Sequence, residues 1–480
     1  MSASAAFRYE AVCQALRERI ACGALPPGAR LPSLRDIARE MQVSLSTATR
    51  ALETLQDEGL VQVRPQSGAF VREREVAAAA PEPPALGNFD ELRESSSRMA
   101  KLMRLSEQQV QVTLQLAELS PELLPTERLA RVLARQLKRD PGLLAINAPT
   151  QGWPALREAM AARLGALDIG VGADAVLITQ GATEAVSLAL RAVTKPGDKV
   201  LIESPVYFGL HQTLATLGLQ AVELPCSPVS GWSPEAVEFA LQHYGDIRCL
   251  VVTPNFQNPT GALMPDEAKR QLIAVAARHG ATLIEDDIFG DLHFGRERPR
   301  PLKAWDHDDR VIYCASVSKI VSPAFRLGCV ASVRHAERLH ELKLTAALHS
   351  ASLPQSVVAE LISNGDLDEQ CARLRKTLAL QMERYVDAVR RWFPRECSFS
   401  VPQGGMLLWV KLPPGVDAID LLKEAIARSI TFSPGAVFSA SRRFDGYIRL
   451  NVGRIWSAEV EAAMQALGGL VAQRAAAQAP

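Results

Sequence analysis

Hydrophobic and polar residues alternate in two different ways along the chain, and the first pattern is helical. In residues 8–22 the apolar positions recur every three or four residues, which predicts a helix. Ser33 and Ser44 can each cap a further helix, with a tight turn between the two. Two apolar runs at 60–63 and 69–71 then flank a polar turn, which indicates a small β-hairpin. This order of elements is that of a winged helix-turn-helix.

The second pattern begins near residue 150, where short apolar runs alternate with helical stretches. Such alternation predicts an α/β domain with a mostly parallel sheet that is covered on both faces. The runs that we interpret as strands are residues 176–178, 200–202, 221–224, 249–252, 282–284, 311–314 and 328–333.

The remaining stretches complete the predicted domain organisation. Residues 75–88 are rich in Ala and Pro and indicate a linker, and helical patterns follow at 89–105 and 126–137. After about residue 366, a long helix and two strands predict a smaller α+β subdomain. The predicted domains are therefore a winged helix-turn-helix over 1–74, the linker over 75–88, and an α/β domain over 89–480 with its small subdomain at about 366–480.

Charge and cysteine content exclude several classes of protein. Lys+Arg and Asp+Glu both number 53, and residues 1–74 carry ten arginines against eight acidic residues, so net charge alone does not demand DNA. The eight cysteines lack metal-type spacing, which favours reduced thiols and predicts no metal site. No apolar run reaches about 18 residues and no signal peptide is recognisable. We therefore expect a soluble, cytoplasmic protein without a membrane partner.

The candidate chemistry centres on Lys319, in the run Ser316-Val317-Ser318-Lys319 at the end of a predicted strand. A lysine amine among hydroxyls and apolar residues can lose its proton and form a Schiff base with an aldehyde, which pyridoxal phosphate (PLP) requires. For this tetrapeptide alone, a solvated loop lysine is the alternative interpretation.

Other polar turns follow the predicted strands in order. Gly181-Ala182-Thr183 opens a helix, so that its amides and hydroxyl could hold a phosphate, unless it is a plain turn. Tyr207 could stack on a planar ring or lie in the core. The Asn258 amide could donate to a phenolate oxygen.

Charged side chains add three further candidates. Asp286, in a run of three acids at a strand end, could keep a pyridine nitrogen protonated, or could cap a helix. Arg326 could clamp a phosphate, and Arg449 could clamp a carboxylate.

Together these motifs carry a family resemblance. TQGATEA, ESPVYFG, NPTG, IEDDIFGDL, SVSK with RLG, GGMLLWV and YIRLNVG make residues 110–470 similar to the fold-type I, class I aminotransferases. The resemblance implies PLP as cofactor. It also implies the roles of the residues: Lys319 for the covalent link, Asp286 for the pyridine nitrogen, Asn258 for the ring oxygen O3′, Tyr207 for stacking, Arg449 for a substrate carboxylate, and Ala182, Thr183, Ser316, Ser318 and Arg326 for the phosphate.

Two departures from that family weaken the expectation of fast transamination. The family usually carries a Tyr three residues after the aspartate, and this chain has Phe289. Residues 147–150 lack the Tyr that in many relatives reaches the partner subunit's cofactor phosphate.

The N-terminal part resembles the winged-helix domain of GntR-type bacterial regulators, from GALPPGARLPSLRDIAREM through GLVQVRPQSGAFV. The third predicted helix presents short polar groups and an arginine at its N-terminal half, where they could approach phosphates and base edges. The resemblance implies DNA contacts by Arg35, Ser44, Ser46, Thr47, Arg50 and Gly68. One departure is Leu45, since the family usually has Arg at this position.

A GntR-like reader joined to an aminotransferase-like domain is similar to the MocR subfamily of transcriptional regulators. This resemblance implies a homodimer that binds double-stranded operator DNA and senses an amine, an amino acid or the vitamer itself. An active aminotransferase with a vestigial N-terminal domain is the alternative, and a PLP-binding scaffold without DNA contact is a third. Turnover with common amino donors would separate the first two.

Overall fold

A computed structural model describes residues 3–21, 25, 29–58, 60–64, 68–71, 85–86 and 110–477. The chain divides into two compact units, Met1–Ala77 and Ala78–Pro480. Most of the predicted linker, the predicted helix at 89–105 and the tip of the hairpin at 65–67 lie outside the described residues.

The first unit has the predicted winged helix-turn-helix order. Its elements are α1 (Ala3–Ala21), α2 (Leu34–Glu40), α3 (Leu45–Asp57), β1 (Val61–Arg64) and β2 (Gly68–Val71). The two strands pair antiparallel as a hairpin. All five elements contribute to one apolar core, whose buried members are Val12, Cys13, Leu16, Leu25, Leu31, Ile37, Ala48, Ala51, Leu55, Val61 and Val71.

Serine caps set the starts of the second and third helices, as their sequence predicts. Ser33 Oγ accepts the amide of Asp36 at 3.2 Å, and Ser44 Oγ accepts the amide of Thr47 at 3.2 Å. Each cap satisfies one of the backbone donors that a helix leaves unpaired at its N-terminus. Between the helices, Gln42 takes a positive φ of 51° that turns the chain sharply.

The second unit contains an eight-stranded sheet that includes every strand predicted between residues 176 and 333. Neighbouring strands are parallel except at β3, β11 and β5, where the pairings are antiparallel. In spatial order the strands are β3 (Ala85–Leu86), β7 (Gln220–Pro225), β6 (Lys199–Ser204), β8 (Ile247–Val252), β9 (Thr282–Asp286), β10 (Val311–Ser316), β11 (Gly328–Ala331) and β5 (Val176–Thr179).

Helices cover both faces of this sheet, which explains its continuous apolar runs. On β6, Val200 and Ile202 pack into one apolar cluster while Leu201 packs into another. The first cluster contains residues of α6 (Ala182–Val193), α7 (Phe208–Thr216) and α10 (Ala336–Ala346). The second contains residues of α8 (Pro234–Tyr244) and α9 (Asp266–Arg278).

A smaller five-stranded sheet forms the second layer, in the order β12 (Ser398–Phe399), β13 (Leu407–Lys411), β15 (Tyr447–Asn451), β14 (Ile430–Pro434) and β4 (Val112–Leu114). Its last strand, β4, comes from a part of the chain that precedes every strand of the large sheet except β3, so the predicted subdomain at about 366–480 leaves out one of its strands. Three residues are too few for hydrophobic periodicity to identify a strand.

The largest apolar cluster joins this sheet to the remaining helices. Those helices are α4 (Thr126–Arg139), α5 (Pro154–Gly165), α11 (Ser352–Ser363), α12 (Asp366–Trp392), α13 (Ala418–Ile426) and α14 (Ala458–Ala477). Within the described residues, no helix combines the length and the apolar character that crossing a membrane requires.

One strand falls inside the predicted linker. Ala85 and Leu86 pair antiparallel with Glu223 and Val222 at the edge of the large sheet. The composition of residues 75–88 does not predict this pairing, because backbone hydrogen bonds to a sheet edge need no particular side chain.

Candidate functional site

Lys319 lies in the turn that follows β10, at the carboxyl end of the parallel strands. Its Nζ donates to the carbonyl of Ala117 at 2.6 Å. Burial lowers the pKa of the Lys319 amine; the Glu118 carboxylate opposes this shift, while the Arg449 and Arg326 guanidinium groups add to it. The amine is therefore more easily deprotonated than a surface lysine, as a nucleophile must be.

Asp286 ends β9 with a buried carboxylate oxygen, Oδ1, that has no hydrogen-bond partner among the described residues. Burial raises the pKa of Asp286 to about 7, and the neighbouring Asp287 carboxylate contributes to the rise. Asp287 itself accepts from Tyr313 at 2.8 Å and forms an ion pair with Arg298 at 2.6 Å. Asp286 is thus the acid with an open position, and a protonated ring nitrogen is the kind of donor that fits it.

The start of α6 forms a cradle suited to a phosphate. Gly181, the residue before the helix, has a positive φ of 83°, and a Cβ there would lie 2.8 Å from Nη2 of Arg326. Arg326 is exposed and donates to the carbonyl of Gln180 at 3.2 Å. The amides of Ala182 and Thr183 begin the helix, where the dipole favours an anion.

Ser316 and Ser318 lie beside Lys319 and are both buried. Ser316 Oγ is 2.9 Å from Ser318 Oγ and 2.8 Å from the carbonyl oxygen of Leu327, and it accepts the amide of Ser318 at 3.1 Å. Both hydroxyls therefore have protein partners here, and their predicted phosphate contacts remain predictions.

Tyr207 and Asn258 flank the same pocket. Tyr207 precedes α7, and a Cβ on Gly209 would lie 2.4 Å from its ring, so the glycine makes room for the aromatic side chain. Burial raises the pKa of the Tyr207 hydroxyl, while the nearby Arg449 lowers it. Asn258 Oδ1 accepts from Arg449 at 2.9 Å, so the amide nitrogen of Asn258 is the group that could donate to a ligand.

Arg449 is a buried guanidinium, 1% exposed, in the middle of β15. It donates to Ser433 Oγ at 3.1 Å and to the carbonyl of Gln115, and its Nε has no acceptor among the described residues. It makes no ion pair with any carboxylate in the described part of the chain. Burial lowers the pKa of Arg449 to about 10. An anionic ligand would compensate this buried charge.

One component of the pocket is not predicted by the sequence. It is a strap formed by residues 115–120. Its carbonyl groups at Gln115 and Ala117 accept from Arg449 and Lys319. Asn451 Nδ2 holds the next carbonyl, of Glu118, at 2.7 Å. Backbone carbonyls are present at every residue, so no side-chain pattern could have indicated this segment.

Both predicted departures are visible in the structure. Phe289 is 1% exposed and packs in the largest apolar cluster, so it offers no donor to the pocket. In the run 147–150, Ala148 is buried and its amide donates to Ser352 Oγ at 2.7 Å.

In the first unit, four of the six residues predicted to contact DNA lie at the N-terminal end of α3. Ser46 and Arg50 lie on this helix, and the guanidinium of Arg50 lies 4.9 Å from the ring centroid of Tyr9. Leu45, the first residue of the helix, is 51% exposed. The structure thus presents an apolar group where the family usually has a charged one.

The other residues predicted to contact DNA either have a structural role as well or lie on other elements. Ser44 also serves as the helix cap, and its Oγ lies 2.7 Å from Thr47 Oγ. Arg35 is exposed on α2, and Gly68 begins β2 next to the hairpin tip. The DNA contacts of all these residues remain predictions.

Comparison with known proteins assigns both units to families. Residues 114–467 match the family model for aminotransferases of class I and II, and residues 8–71 match the model for bacterial regulatory proteins of the gntR family. The chain is 35% identical over 97% of its length to the uncharacterized HTH-type transcriptional regulator YdcR of Escherichia coli (strain K12), of which it covers 99%. It is 34% identical to YjiR of the same organism, over 97% of this chain and 98% of the relative.

A solved structure supports the assignment of the second unit. LysN, an α-aminoadipate aminotransferase from Thermus thermophilus complexed with N-(5′-phosphopyridoxyl)-L-leucine, superposes with a TM-score of 0.73 at 29% identity, covering 80% of this chain and 98% of its own. Its ligand is a PLP derivative, and the open position at Asp286 and the cradle at Gly181 fit that cofactor. The chain belongs to the MocR-type transcriptional regulators, in which a GntR DNA-binding domain is joined to a PLP-dependent aminotransferase class I and II domain.

Proposed function

We propose that the second unit of this regulator senses a small amine or amino acid through PLP, and that the bound ligand changes the affinity of the first unit for its operator. The observation that carries this proposal is Arg449, a buried cation without a carboxylate partner among the described residues, in the same pocket as Lys319. When bound, PLP supplies an aldehyde that condenses with primary amines. A ligand with both an amine and a carboxylate would then be bound at two points of this pocket, its amine by the aldehyde and its carboxylate by Arg449.

The cofactor roles that we propose are those that the resemblance to aminotransferases implies. Lys319 would hold the cofactor covalently, Asp286 its ring nitrogen, and Asn258 its ring oxygen. Tyr207 would stack on the ring. The phosphate would bind at the start of α6, with the amides of Ala182 and Thr183, the hydroxyls of Ser316 and Ser318, and Arg326.

Ligand binding would disturb the strap at residues 115–120. A ligand carboxylate on Arg449 would compete with the carbonyl of Gln115. Lys319 would already have lost its bond to Ala117 in the cofactor-loaded protein, so the contact at Arg449 is the one that a ligand would change. The strap directly follows β4, the point at which the chain enters the small sheet. Because a ligand shifts an equilibrium only through differential affinity, a competing contact of this kind is what such a sensor needs.

The functional unit that we propose is a homodimer. Leu144, Ile146 and Leu348 are 70%, 46% and 51% exposed. Ser352 Oγ, at the start of α11, accepts the amide of Ala148 and donates to the carbonyl of Ile146, which joins the two loops that carry these side chains. Exposed apolar side chains grouped in this way favour a protein interface. Two DNA-binding units imply paired half-sites, about 34 to 36 Å apart or a multiple of that. We place the protein in the cytoplasm with its DNA, consistent with seven unbridged cysteines in the described residues.

Selection from a random double-stranded DNA library tests the proposal. The full-length, PLP-loaded protein should enrich a paired motif at moderate salt, and one amine or amino acid should change affinity for that motif by at least about fivefold. Failure to enrich any sequence, with or without PLP, contradicts a role as a DNA-binding regulator. An enriched motif whose affinity no amine alters contradicts only the sensing role.

An active aminotransferase remains the second candidate, because the lysine, the aspartate and both arginines lie together. Steady-state turnover with common amino donors and 2-oxo acids distinguishes the two. A rate on the order of 10 per second would favour the enzyme. The buried Phe289, which offers no hydroxyl, favours the sensor.

A further inference from the structure

A buried ion pair lies directly behind the predicted phosphate cradle. Lys343, in α10, is fully buried, and its Nζ donates to Glu184 Oε2 at 2.7 Å and to Ser350 Oγ at 2.9 Å. Glu184 belongs to the first turn of α6 and its side chain is 16% exposed. A lysine and a glutamate 159 positions apart form no motif, so the sequence does not predict this pair.

The pair is connected to the cradle through the backbone of one residue, Gln180. Glu184 Oε2 also accepts the amide of Gln180 at 2.6 Å, and the carbonyl of Gln180 accepts from Arg326 at 3.2 Å. The next residue is Gly181, whose positive φ turns the chain into the helix. The backbone of Gln180 therefore links Glu184 to the Arg326 guanidinium beside the first amides of α6.

Electrostatics explains why a lysine is needed at this place. A carboxylate in the first turn of α6 would repel a phosphate bound at the same helix terminus. The Lys343 ammonium, 2.7 Å from Glu184 Oε2, neutralises that carboxylate, and a buried lysine is costly unless it has such a partner. Together the two side chains orient the loop without adding a net negative charge to the phosphate site.

We propose that Lys343 and Glu184 are positioning residues for the cofactor phosphate. Glu184 holds the amide of Gln180, and Lys343 both orients Glu184 and cancels its charge. The inference rests on the proposed binding of PLP at Lys319 and Arg326, and adds two residues that would act through the loop without touching the cofactor.

The test compares two probes, PLP and pyridoxal, which lacks the phosphate, by absorbance titration of the full-length protein. In Lys343→Met the affinity for PLP should fall by about tenfold or more, because an uncompensated carboxylate then faces the phosphate. The affinity for pyridoxal should stay within about twofold. The double variant Glu184→Gln with Lys343→Met, which removes the carboxylate as well, should recover most of the PLP affinity.

Matched controls separate positioning from a general structural role. Arg326→Gln should lose PLP preference in the same way, and combining it with Lys343→Met should give less than the product of the two single losses. If Lys343→Met does not fold, Glu184→Ala removes the acceptor for Gln180 and should reduce the ratio of PLP to pyridoxal affinity by about fivefold.

Equal losses for PLP and pyridoxal would show a merely structural role and overturn the inference, as would an unchanged ratio in Lys343→Met and Glu184→Ala. A wild-type protein that binds neither probe would instead contradict the proposed function.

Discussion

At the scale of single residues, the pocket is unusual for its uncompensated charges. Among the described residues, Asp286 has a buried oxygen without a donor, and Arg449 has a buried nitrogen without an acceptor. Each is costly to keep in the free protein. Both are explained by a bound molecule that supplies a donor to one and an anion to the other.

The pKa of Asp286 leads to a pH-dependent prediction. Its carboxyl would titrate near 3.8 in the unfolded chain, whereas its pKa is about 7 in the folded protein, so the folded state binds the proton more tightly. The contribution of Asp286 to the free energy of unfolding of the cofactor-free protein should therefore fall as pH rises from about 4 to about 7. Asp286→Asn cannot ionise, and should exceed the wild type by ~1–3 kcal/mol at pH 8 and by less at pH 5.

Denaturant unfolding at the two pH values measures this difference. Asp287→Asn is the matched control, since Asp287 is paired with Arg298 and its loss should destabilise the protein at both. A gap between Asp286→Asn and wild type that is the same at pH 5 and pH 8 contradicts the prediction.

The guanidinium of Arg449 leads to a prediction about which ligands the pocket binds. Arg449→Lys keeps the charge but loses the two-pronged donor geometry that matches a carboxylate. Affinity of the PLP-loaded variant for alanine should fall by about tenfold or more, whereas ethylamine, which lacks the carboxylate, should bind within about twofold of wild type. Spectral titration with each compound gives both values, and parallel losses would refute the assignment.

At the scale of elements, α3 combines a structural cap with a surface for DNA. Ser44 Oγ accepts the amide of Thr47, whereas Ser46 is exposed and does not cap the helix. Ser44→Ala should destabilise α3 by about 1 kcal/mol, and Ser44→Asp should restore the cap yet repel DNA phosphates. Ser46→Ala should weaken DNA binding without affecting the helix.

Hydrogen exchange of α3 in the full-length protein, together with binding to a selected duplex, separates these effects. Ser44→Asp is the informative variant, with wild-type protection of α3 and reduced DNA affinity. If it binds DNA as well as the wild type does, Ser44 does not approach the phosphates.

Much of this architecture was predictable at the level of elements. Continuous apolar runs identified β5 to β11 because strands buried on both faces must be apolar, and serines identified the starts of α2 and α3. The sequence did not indicate β3, β4 or the strap at residues 115–120. Their contacts are made by backbone groups and by residues more than a hundred positions away, as for Gln115 and Arg449.

The candidate site was predictable to a similar extent. Polar turns at strand ends located Lys319 and Asp286 because parallel strands deliver such turns to one edge. Lys343 and Glu184 could not be found, since a buried ion pair leaves no local pattern. Which acid of residues 285–287 has an open oxygen also required the structure.

At the scale of the whole molecule, the proposed homodimer would determine how strongly its two DNA-binding units act together. Linked binding units gain affinity through effective concentration, by about 10²-fold or more. Leu348→Asp should disrupt the proposed interface and reduce affinity for a duplex with two half-sites to that for one. Phe239→Asp, at a 56% exposed residue of α8, is the matched control and should leave binding unchanged.

Sedimentation of both variants gives the oligomeric state, and DNA titration gives the affinity. A dimeric Leu348→Asp with undiminished binding to the paired half-sites would show that the interface lies elsewhere.

The oxygens of residues 115–120 that accept from Lys319 and Arg449 belong to the main chain, so amino-acid replacement in this segment leaves them in place. Substitutions in those side chains can alter the neighbouring packing, but the hydrogen bonds to Lys319 and Arg449 are kept. An insertion or deletion between β4 and α4 would displace the oxygens in a single event. The ligand sensitivity of the proposed sensor therefore depends on the backbone path of this segment. Relatives in which the segment differs in length should respond at different ligand concentrations.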